Sequence, residues 1–150
     1  MIGVGSTAPD FIASTERGQL VRLRDALTKG PLVLIFYPGD STPVCKQQLC
    51  AVRDAAAQYE AAGITVLGVN NGDAASHWRF IAENKLETRL LVDTDFKISA
   101  DYGCVLGFGP LRFIRRTVVG IAQDATIVYY KHGAPSTEEI IGAVSRAAAA

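Results

Sequence analysis

Two short and almost uninterrupted apolar runs constrain the fold of this chain more than any other feature. The first occupies residues 31–37 and the second residues 64–69. Apolar runs of this length are typical of strands that are buried on both faces of a sheet. The stretch between them has helical spacing from residue 43 to about residue 62, and it then meets Gly63, a common residue after a helix. These residues therefore predict a strand–helix–strand unit.

The other predicted elements continue this alternation and end in a hairpin. In chain order we predict a strand at 20–23, a helix at 74–86, a strand at 90–92, a helix at 96–102, paired strands at 117–121 and 126–130, and a last helix from 136. The last helix opens with a capping box, Ser136 followed by Glu139. The pattern predicts an α/β fold in which a central mixed sheet is flanked by helices on both faces. We expect a single domain over residues 1–150.

The charge balance argues against two classes of partner. Lys plus Arg and Asp plus Glu number 15 each, so we expect no general attraction to nucleic acid or to anionic membranes. No stretch approaches the ~18 consecutive apolar residues of a membrane span, and the first residues lack a signal-peptide pattern. We therefore expect a cytoplasmic protein. His77 and His132 have no metal-ligand spacing, which predicts surface or helix-cap positions and no metal site.

Cys45 carries the strongest chemical signal, because it lies at the start of the helix predicted from residue 43. Thr42 is a good N-cap residue and Pro43 is a good first helical residue. The N–H groups at a helix N-terminus favour negative charge, so a cysteine placed there is readily ionised to the reactive thiolate. Helical spacing also predicts that Cys45 begins an inward-facing stripe. The members of this stripe are Cys45, Leu49, Val52, Ala56 and Tyr59.

Cys50 follows five positions after Cys45, and the chain has three cysteines, too few for a disulfide scaffold. On one helix the two Cα atoms would lie about 8–9 Å apart, whereas a disulfide needs them within about 7 Å. A bond between Cys45 and Cys50 would therefore require the first helical turns to unwind, which suits a catalyst or sensor that changes shape on oxidation. Two alternatives remain. The thiols could be inert and buried in a binding module, or the protein could be a thiol–disulfide oxidoreductase, although the usual Cys-x-x-Cys spacing is absent.

The residues around Cys45 form a longer motif. The sequence Phe36-Tyr37-Pro38-x-x-x-Thr42-x-x-Cys45, with Cys50 five residues on, resembles the active-site motif of the peroxiredoxins and in particular the peroxiredoxin Q group, also called bacterioferritin comigratory proteins. Other residues similar to this family lie at 5–11, 76–77, 93–95 and 102–103. The resemblance covers nearly the whole chain. It implies a thioredoxin-like fold and a thiol-dependent peroxidase that needs no metal or organic cofactor.

By this resemblance, five residues have roles in the reduction of hydrogen peroxide or an organic hydroperoxide. Cys45 would be the peroxidatic cysteine that becomes a sulfenic acid, and Cys50 would resolve it as an intramolecular disulfide. Thr42 would hydrogen-bond the sulfur and the peroxide, unless it only caps the helix. Pro38 would shield the thiolate from water, and Arg116 would hold the thiolate and polarise the substrate. Thioredoxin or a similar thiol reductant would restore the dithiol.

Several neighbouring features have more than one interpretation. Arg115 would point to the opposite face from Arg116 if the segment is already a strand, so we expect Arg115 and Arg112 at the solvated surface. Cys104 is interpreted as a buried bystander, with a second resolving thiol as the alternative. The apolar loop at 105–114 predicts a wall for alkyl hydroperoxides, a dimer patch or ordinary loop packing. We expect a monomer, with a weak dimer as the alternative.

Overall fold

A computed structural model describes residues 2–40 and 42–149 of the chain. Met1, Ser41 and Ala150 lie outside the described residues, so the predicted turn at 38–41 is followed only as far as Asp40. The helices and strands are, in chain order, β1 (Ile12–Ser14), β2 (Leu20–Arg22), α1 (Leu23–Leu27), β3 (Leu32–Phe36), α2 (Pro43–Asp54), α3 (Ala56–Ala61), β4 (Thr65–Asn70), α4 (Ala74–Asn84), β5 (Arg89–Val92), α5 (Lys97–Asp101), β6 (Val105–Leu106), β7 (Phe113–Ile114), β8 (Thr117–Ile121), β9 (Ile127–His132) and α6 (Thr137–Ala149).

Five strands form the central sheet in the order β5-β4-β3-β8-β9. Strands β3, β4 and β5 are parallel, whereas β8 pairs antiparallel with both β3 and β9. Strand β3 lies at the centre, and its Leu34 is opposite Leu67 of β4 and Val119 of β8. This central position explains the continuous apolar run, because every residue of β3 is buried. The predicted mixed sheet is therefore confirmed.

Helices cover both faces of the sheet, as predicted. Val33 and Ile35 of β3 face a core that α2, α3, α4 and α6 complete, and Cys45 belongs to this core. Leu34 and Phe36 face the opposite core, to which α1 and α5 contribute. The alternation of side chains along a strand accounts for this division. The arrangement is the thioredoxin-like fold expected from the sequence.

The helix predicted from residue 43 to about residue 62 is two helices. It breaks at Ala55, where the backbone has φ −101° and ψ 12° and the Gln58 amide donates to the Ala55 carbonyl at 2.9 Å, a tighter turn than that of an α-helix. As a result, Ala55 is buried and Ala56 is only half-buried, so the predicted inward stripe is wrong at this position. Neither Gly nor Pro marks the break, and helical periodicity alone does not reveal it. The predicted stop at Gly63 is confirmed by its positive φ of 71°.

The irregular apolar segment holds short structure that the sequence did not predict. Strands β6 and β7 pair antiparallel around a single 3₁₀ turn at Gly109–Leu111. Phe108 and Leu111 at the tip are 87% and 79% exposed. Strand β1, which pairs with β2, was also missed, because three residues are too few to establish an alternating pattern. Among the described helices, none combines the length and apolar composition needed to cross a membrane.

Gly68, in the middle of β4, offers a direct test of the packing beneath α2. A Cβ atom at this position would lie 2.6 Å from Leu90 Cδ2 and 3.2 Å from Tyr37 Cε1. We expect Gly68→Ala to lower the free energy of unfolding by about 1–3 kcal/mol through overpacking. Urea unfolding measures the change. The matched control is Gly3→Ala, whose added Cβ meets no described atom within 4 Å and should leave the stability nearly unchanged.

Candidate active site

The connection from β3 to α2 builds the candidate site. Strand β3 ends at Phe36, and α2 begins at Pro43, with Thr42 in extended conformation at the N-cap position. The first bond within the helix runs from the Lys46 amide to the Thr42 carbonyl at 2.8 Å. The backbone amides before Lys46 therefore have no acceptor within the helix. Cys45 lies at this end of α2 and has no exposed surface, so its sulfur is buried at the end of the helix to which these amides belong.

Arg116 reaches the sulfur from the neighbouring strand. Its Nη2 donates to Cys45 Sγ at 3.1 Å. The residue directly precedes β8, and β8 pairs with β3 so that Thr117 lies opposite Phe36. Arg116 is thereby brought to the end of β3 at which α2 begins. The guanidinium therefore supplies a charged hydrogen-bond donor to a buried sulfur.

Gln48 holds the other side of the guanidinium, and sequence reasoning missed it. Its Oε1 accepts from Arg116 Nη1 at 2.8 Å. Because a guanidinium only donates, the amide oxygen must face Arg116 and the amide nitrogen must face away. Within the described part of the chain, no acceptor reaches this buried nitrogen. The only signal available from the sequence was the spacing of three residues from Cys45, which puts Gln48 on a neighbouring part of the same helix surface.

The two other arginines near Arg116 in the sequence, Arg115 and Arg112, lie at the surface as the sequence predicts. Arg115 is exposed, and its backbone amide donates to the Cys104 carbonyl at 2.7 Å. Arg112 is also exposed, and its guanidinium lies 4.4 Å from the centre of the Phe96 ring. Of the three, the structure brings only Arg116 to the Cys45 sulfur among the described contacts.

Pro38 and Thr42 lie at the surface in the connection that leads into α2. Both residues are exposed. The Thr42 hydroxyl donates to the Gly39 carbonyl at 3.3 Å. In residues 42–54 no side-chain capping bond from Thr42 is formed, and the described contacts of the Cys45 sulfur do not include this hydroxyl. The hydroxyl is thus held by the loop that leads into α2 and stands at the solvent side of the site.

Cys50 lies on the same unbroken helix as Cys45. It is half-buried, and its Sγ is 3.9 Å from Asn84 Oδ1 on α4. All three cysteines are free thiols. A disulfide between Cys45 and Cys50 therefore requires α2 to unwind, as the helix geometry predicts.

Cys104 lies in the core on the other face of the sheet. It belongs to the cluster that contains Leu34 and Phe36, whereas Cys45 belongs to the opposite cluster. The thiol is fully buried and lies 3.4 Å from the Tyr102 carbonyl. Burial raises the pKa of Cys104, although its polar neighbours partly oppose the shift. The sheet between Cys104 and Cys45 favours the interpretation of Cys104 as a buried bystander.

A buried polar network underlies the loop before α2. Asp40 Oδ2 accepts from Ser76 Oγ at 2.6 Å and lies 2.7 Å from His77 Nδ1, and Asp40 Oδ1 accepts from Tyr37 Oη at 2.7 Å. His77 Nε2 lies 3.0 Å from the Leu91 carbonyl. The prediction that His77 lies at the surface or caps a helix is wrong, because its side chain has no exposed surface. Its side chain packs inward from the first turn of α4. The imidazole can be buried there because it has Asp40 as a polar partner.

This network sets the charge of its members. Burial alone would raise the pKa of Asp40, but the hydrogen bonds from His77, Ser76 and Tyr37 outweigh it and hold that pKa below its ordinary value. Burial first, and then the charge of Asp40, raise the pKa of Tyr37 well above its ordinary value. The Tyr37 hydroxyl therefore keeps its proton and donates to an ionised Asp40.

The lowered pKa of Asp40 predicts an acid-sensitive contribution to stability. In the unfolded chain this carboxyl has an ordinary pKa of about 3.9. Because the pKa is lower in the folded chain, the unfolded state takes up the proton first as the pH falls. The contribution is complete above the unfolded value and is lost as the pH falls through the folded value. Urea unfolding should therefore separate wild type from Asp40→Asn more at about pH 7 than at about pH 2.5, and equal separations would contradict the prediction.

The described residues contain no group of three or more His, Cys, Asp or Glu side chains placed to hold a metal ion. The groups that the structure brings together at the site are the Cys45 sulfur, Arg116 and Gln48. The site has a buried sulfur at a helix start, held by an arginine on a thioredoxin-like sheet. These features are those of a thioredoxin-fold protein whose reactive group is a cysteine.

Comparison with known proteins names the family. The AhpC/TSA family model matches residues 4–130. The chain is 39% identical over 102 residues to a chloroplastic peroxiredoxin Q of Triticum aestivum, a match that covers 68% of this chain and 46% of the relative. It is 34% identical over 130 residues to a peroxiredoxin bcp of Coxiella burnetii, covering 84% of this chain and 85% of that relative. The chain belongs to the AhpC/TSA family, and its curated relatives are of the peroxiredoxin Q and bcp group.

Solved structures agree on the fold. The peroxidoxin BcpB of Mycobacterium tuberculosis superposes with a TM-score of 0.90 at 24% identity, covering 98% of each chain. The PrxQ of Xylella fastidiosa gives a TM-score of 0.86 at 22% identity, covering 99% of this chain and 97% of that one. At these identities the likeness shows the fold alone. The match also spans less than half the length of the plant relative.

Proposed function

We propose that this protein is a thiol-dependent peroxidase, an atypical two-cysteine peroxiredoxin that reduces hydrogen peroxide and organic hydroperoxides. One observation carries the proposal: Arg116 Nη2 lies 3.1 Å from the buried sulfur of Cys45 at the start of α2. The names of the curated relatives support it. A single guanidinium here serves two purposes, because it stabilises the thiolate and offers further donors to an incoming peroxide.

In the first step the Cys45 thiolate attacks one peroxide oxygen. An S–O bond forms, the O–O bond breaks, and the second oxygen leaves with the electron pair and takes up a proton as water or an alcohol. The sulfur is oxidised by two electrons to the sulfenic acid. Negative charge moves from the sulfur to the leaving oxygen, so Arg116 and the free amides of α2 stabilise the transition state. Thr42 and Pro38, at the solvent side, are proposed to bind the peroxide and to limit access of water.

In the second step Cys50 resolves the sulfenic acid. Its sulfur attacks the Cys45 sulfur, an S–S bond forms, and the hydroxyl leaves as water. The first turns of α2 unwind to allow this bond, and the long 3.9 Å contact to Asn84 offers little resistance to the departure of Cys50. A dithiol reductant, thioredoxin or a similar protein, then exchanges with the disulfide and is itself oxidised. A compartment that keeps thiols reduced, such as the cytoplasm, suits this cycle.

Intact-mass analysis after one equivalent of peroxide tests the proposal. The wild type should lose two hydrogen atoms, and peptide mapping should place the new disulfide between Cys45 and Cys50. The Cys50→Ser variant should instead hold a sulfenic acid that a trapping reagent labels at Cys45. An unchanged mass in the wild type would favour a redox-inactive binding module. An intramolecular bridge in Cys50→Ser would make Cys104 the resolving thiol.

A further inference from the structure

We propose that Asp40 is a positioning residue for Cys45. It anchors the loop before α2 to helix α4 and so holds the wound, peroxide-reactive form of the site. This inference rests on the proposed peroxidase function and adds to it a group that touches neither the sulfur nor the substrate. The anchor consists of Asp40, Tyr37, Ser76 and His77.

The contacts of this anchor converge on one carboxylate. Tyr37 Oη, Ser76 Oγ and His77 Nδ1 lie 2.7, 2.6 and 2.7 Å from its oxygens. The side chains of Asp40 and His77 are 6% and 0% exposed. Buried hydrogen bonds to a charged group of this length are among the strongest in a protein. Asp40 follows β3 by four residues and precedes α2 by three, so the anchor holds the chain close in sequence to the helix that carries Cys45.

Proton positions follow from the partners. The Leu91 carbonyl can only accept, so His77 Nε2 must carry a hydrogen. One further proton lies between His77 Nδ1 and Asp40 Oδ2, which are 2.7 Å apart. This proton makes the contact a hydrogen bond rather than a contact between two acceptors, so His77 holds Asp40 in place.

Tyr37 links the anchor to the reactive thiol. Its hydroxyl donates to Asp40, and its ring packs in the core cluster that contains Cys45. Tyr37 therefore contacts the anchor at its hydroxyl and belongs at its ring to the same packed cluster as Cys45. A shift of Asp40 would therefore be transmitted to the Cys45 sulfur through this packed ring and through the loop backbone.

Helix α4 provides the fixed frame for these contacts. Ser76 and His77, in its first turn, hold Asp40, and Asn84, in its last turn, contacts Cys50 and accepts from Arg53. The part of α2 that must unwind lies between these two attachments. The anchor thus keeps one end of the rearranging segment in place, so that the helix can rewind to the same geometry after reduction.

The experiment measures the rate constant for oxidation of Cys45 by hydrogen peroxide in single-turnover stopped flow, followed by Trp78 fluorescence or by quenched thiol labelling. We expect Asp40→Asn to be slower than wild type by about tenfold or more. The matched control is Asp25→Asn on α1, a surface carboxylate remote from the anchor, which should react at the wild-type rate. Far-ultraviolet circular dichroism checks that each variant is folded.

Two substitutions at His77 separate positioning from packing. The amide of His77→Asn can donate at the place of Nδ1 and keep the Asp40 contact, whereas that of His77→Gln reaches the place of Nε2 and leaves Asp40 unpaired. We expect His77→Asn to remain within about threefold of the wild type and His77→Gln to match Asp40→Asn. Equal losses in the two variants would mean that His77 only packs, and they would overturn the proposal.

If Asp40→Asn does not fold, Tyr37→Phe and Ser76→Ala each remove one donor to Asp40 and are expected to slow the reaction about threefold or more. Wild-type rates in both of these variants, or in a folded Asp40→Asn, would also overturn the proposal. A wild-type protein that does not react with peroxide at all would instead refute the proposed function. The two failures are therefore distinguishable.

Discussion

Replacing Cys45 with serine is expected to abolish peroxide consumption. The hydroxyl oxygen of serine cannot be oxidised by peroxide as a thiolate sulfur can, and no other thiol lies under the Arg116 guanidinium among the described contacts. The substitution is nearly isosteric, and the serine oxygen can still accept from Arg116, so we expect the fold to be retained. Peroxide consumption with a dithiol reductant in excess measures the effect.

The matched control for this loss is Cys104→Ala. Cys104 is fully buried in the core on the opposite face of the sheet, so its removal should leave the peroxidase rate unchanged. Substantial peroxide consumption by Cys45→Ser would show that another group reacts with peroxide. Loss of consumption in a folded Cys104→Ala would show that Cys104 takes part in the reaction.

Replacing Arg116 with methionine is expected to lower kcat/KM for peroxide by about a hundredfold, or about 2.7 kcal/mol of transition-state stabilisation. Methionine keeps the length and apolar stem of the side chain but removes the donors to Cys45 Sγ and Gln48 Oε1. Arg116→Lys should recover only a small part of the loss. An ammonium is a point charge, and it cannot bond the sulfur and Gln48 in the fixed geometry of a guanidinium. Steady-state assays over a range of peroxide concentrations give the comparison.

Arg115→Met is the control for this prediction. Arg115 is the immediate neighbour of Arg116, carries the same charge and is exposed. We expect its replacement to change kcat/KM by less than about twofold, which is the effect of a screened surface charge. Equal effects at the two positions would show that the general positive charge of the segment acts, rather than one guanidinium on the sulfur.

The sequence predicted the parts of the fold that depend on local pattern. Strands β3 and β4 were recognisable because a parallel strand buried on both faces has a continuous apolar sequence, as residues 31–37 and 64–69 do. The start of α2 was recognisable from Thr42 and Pro43. The break at Ala55 was not, because the sequence at that point is a run of alanines with strong helix propensity. Tertiary packing decides where such a run turns.

Contacts within the site could be predicted only in part. The position of Arg116 at the end of β3 follows from the strand pairing, which the hairpin pattern does not specify. The partnership of Asp40 with His77 joins residues 37 positions apart, and neither residue has a local pattern that indicates burial. A single sequence places both in a loop or at a helix start, where solvent exposure is the usual outcome. Only the packing of α4 against the loop before α2 brings them together.

The most direct test of the whole account is the second-order rate constant for wild-type protein and hydrogen peroxide, compared with that of free cysteine at the same pH near 7. Full ionisation of a thiol raises the rate by only about 30-fold, since a free thiol is a few per cent ionised. Donors aimed at the leaving oxygen should raise it by at least about a further hundredfold. A total advantage of about 3,000-fold or more is the predicted result. An advantage of about 30-fold or less would contradict it, because the Cys45 sulfur would then be merely ionised and not catalytic.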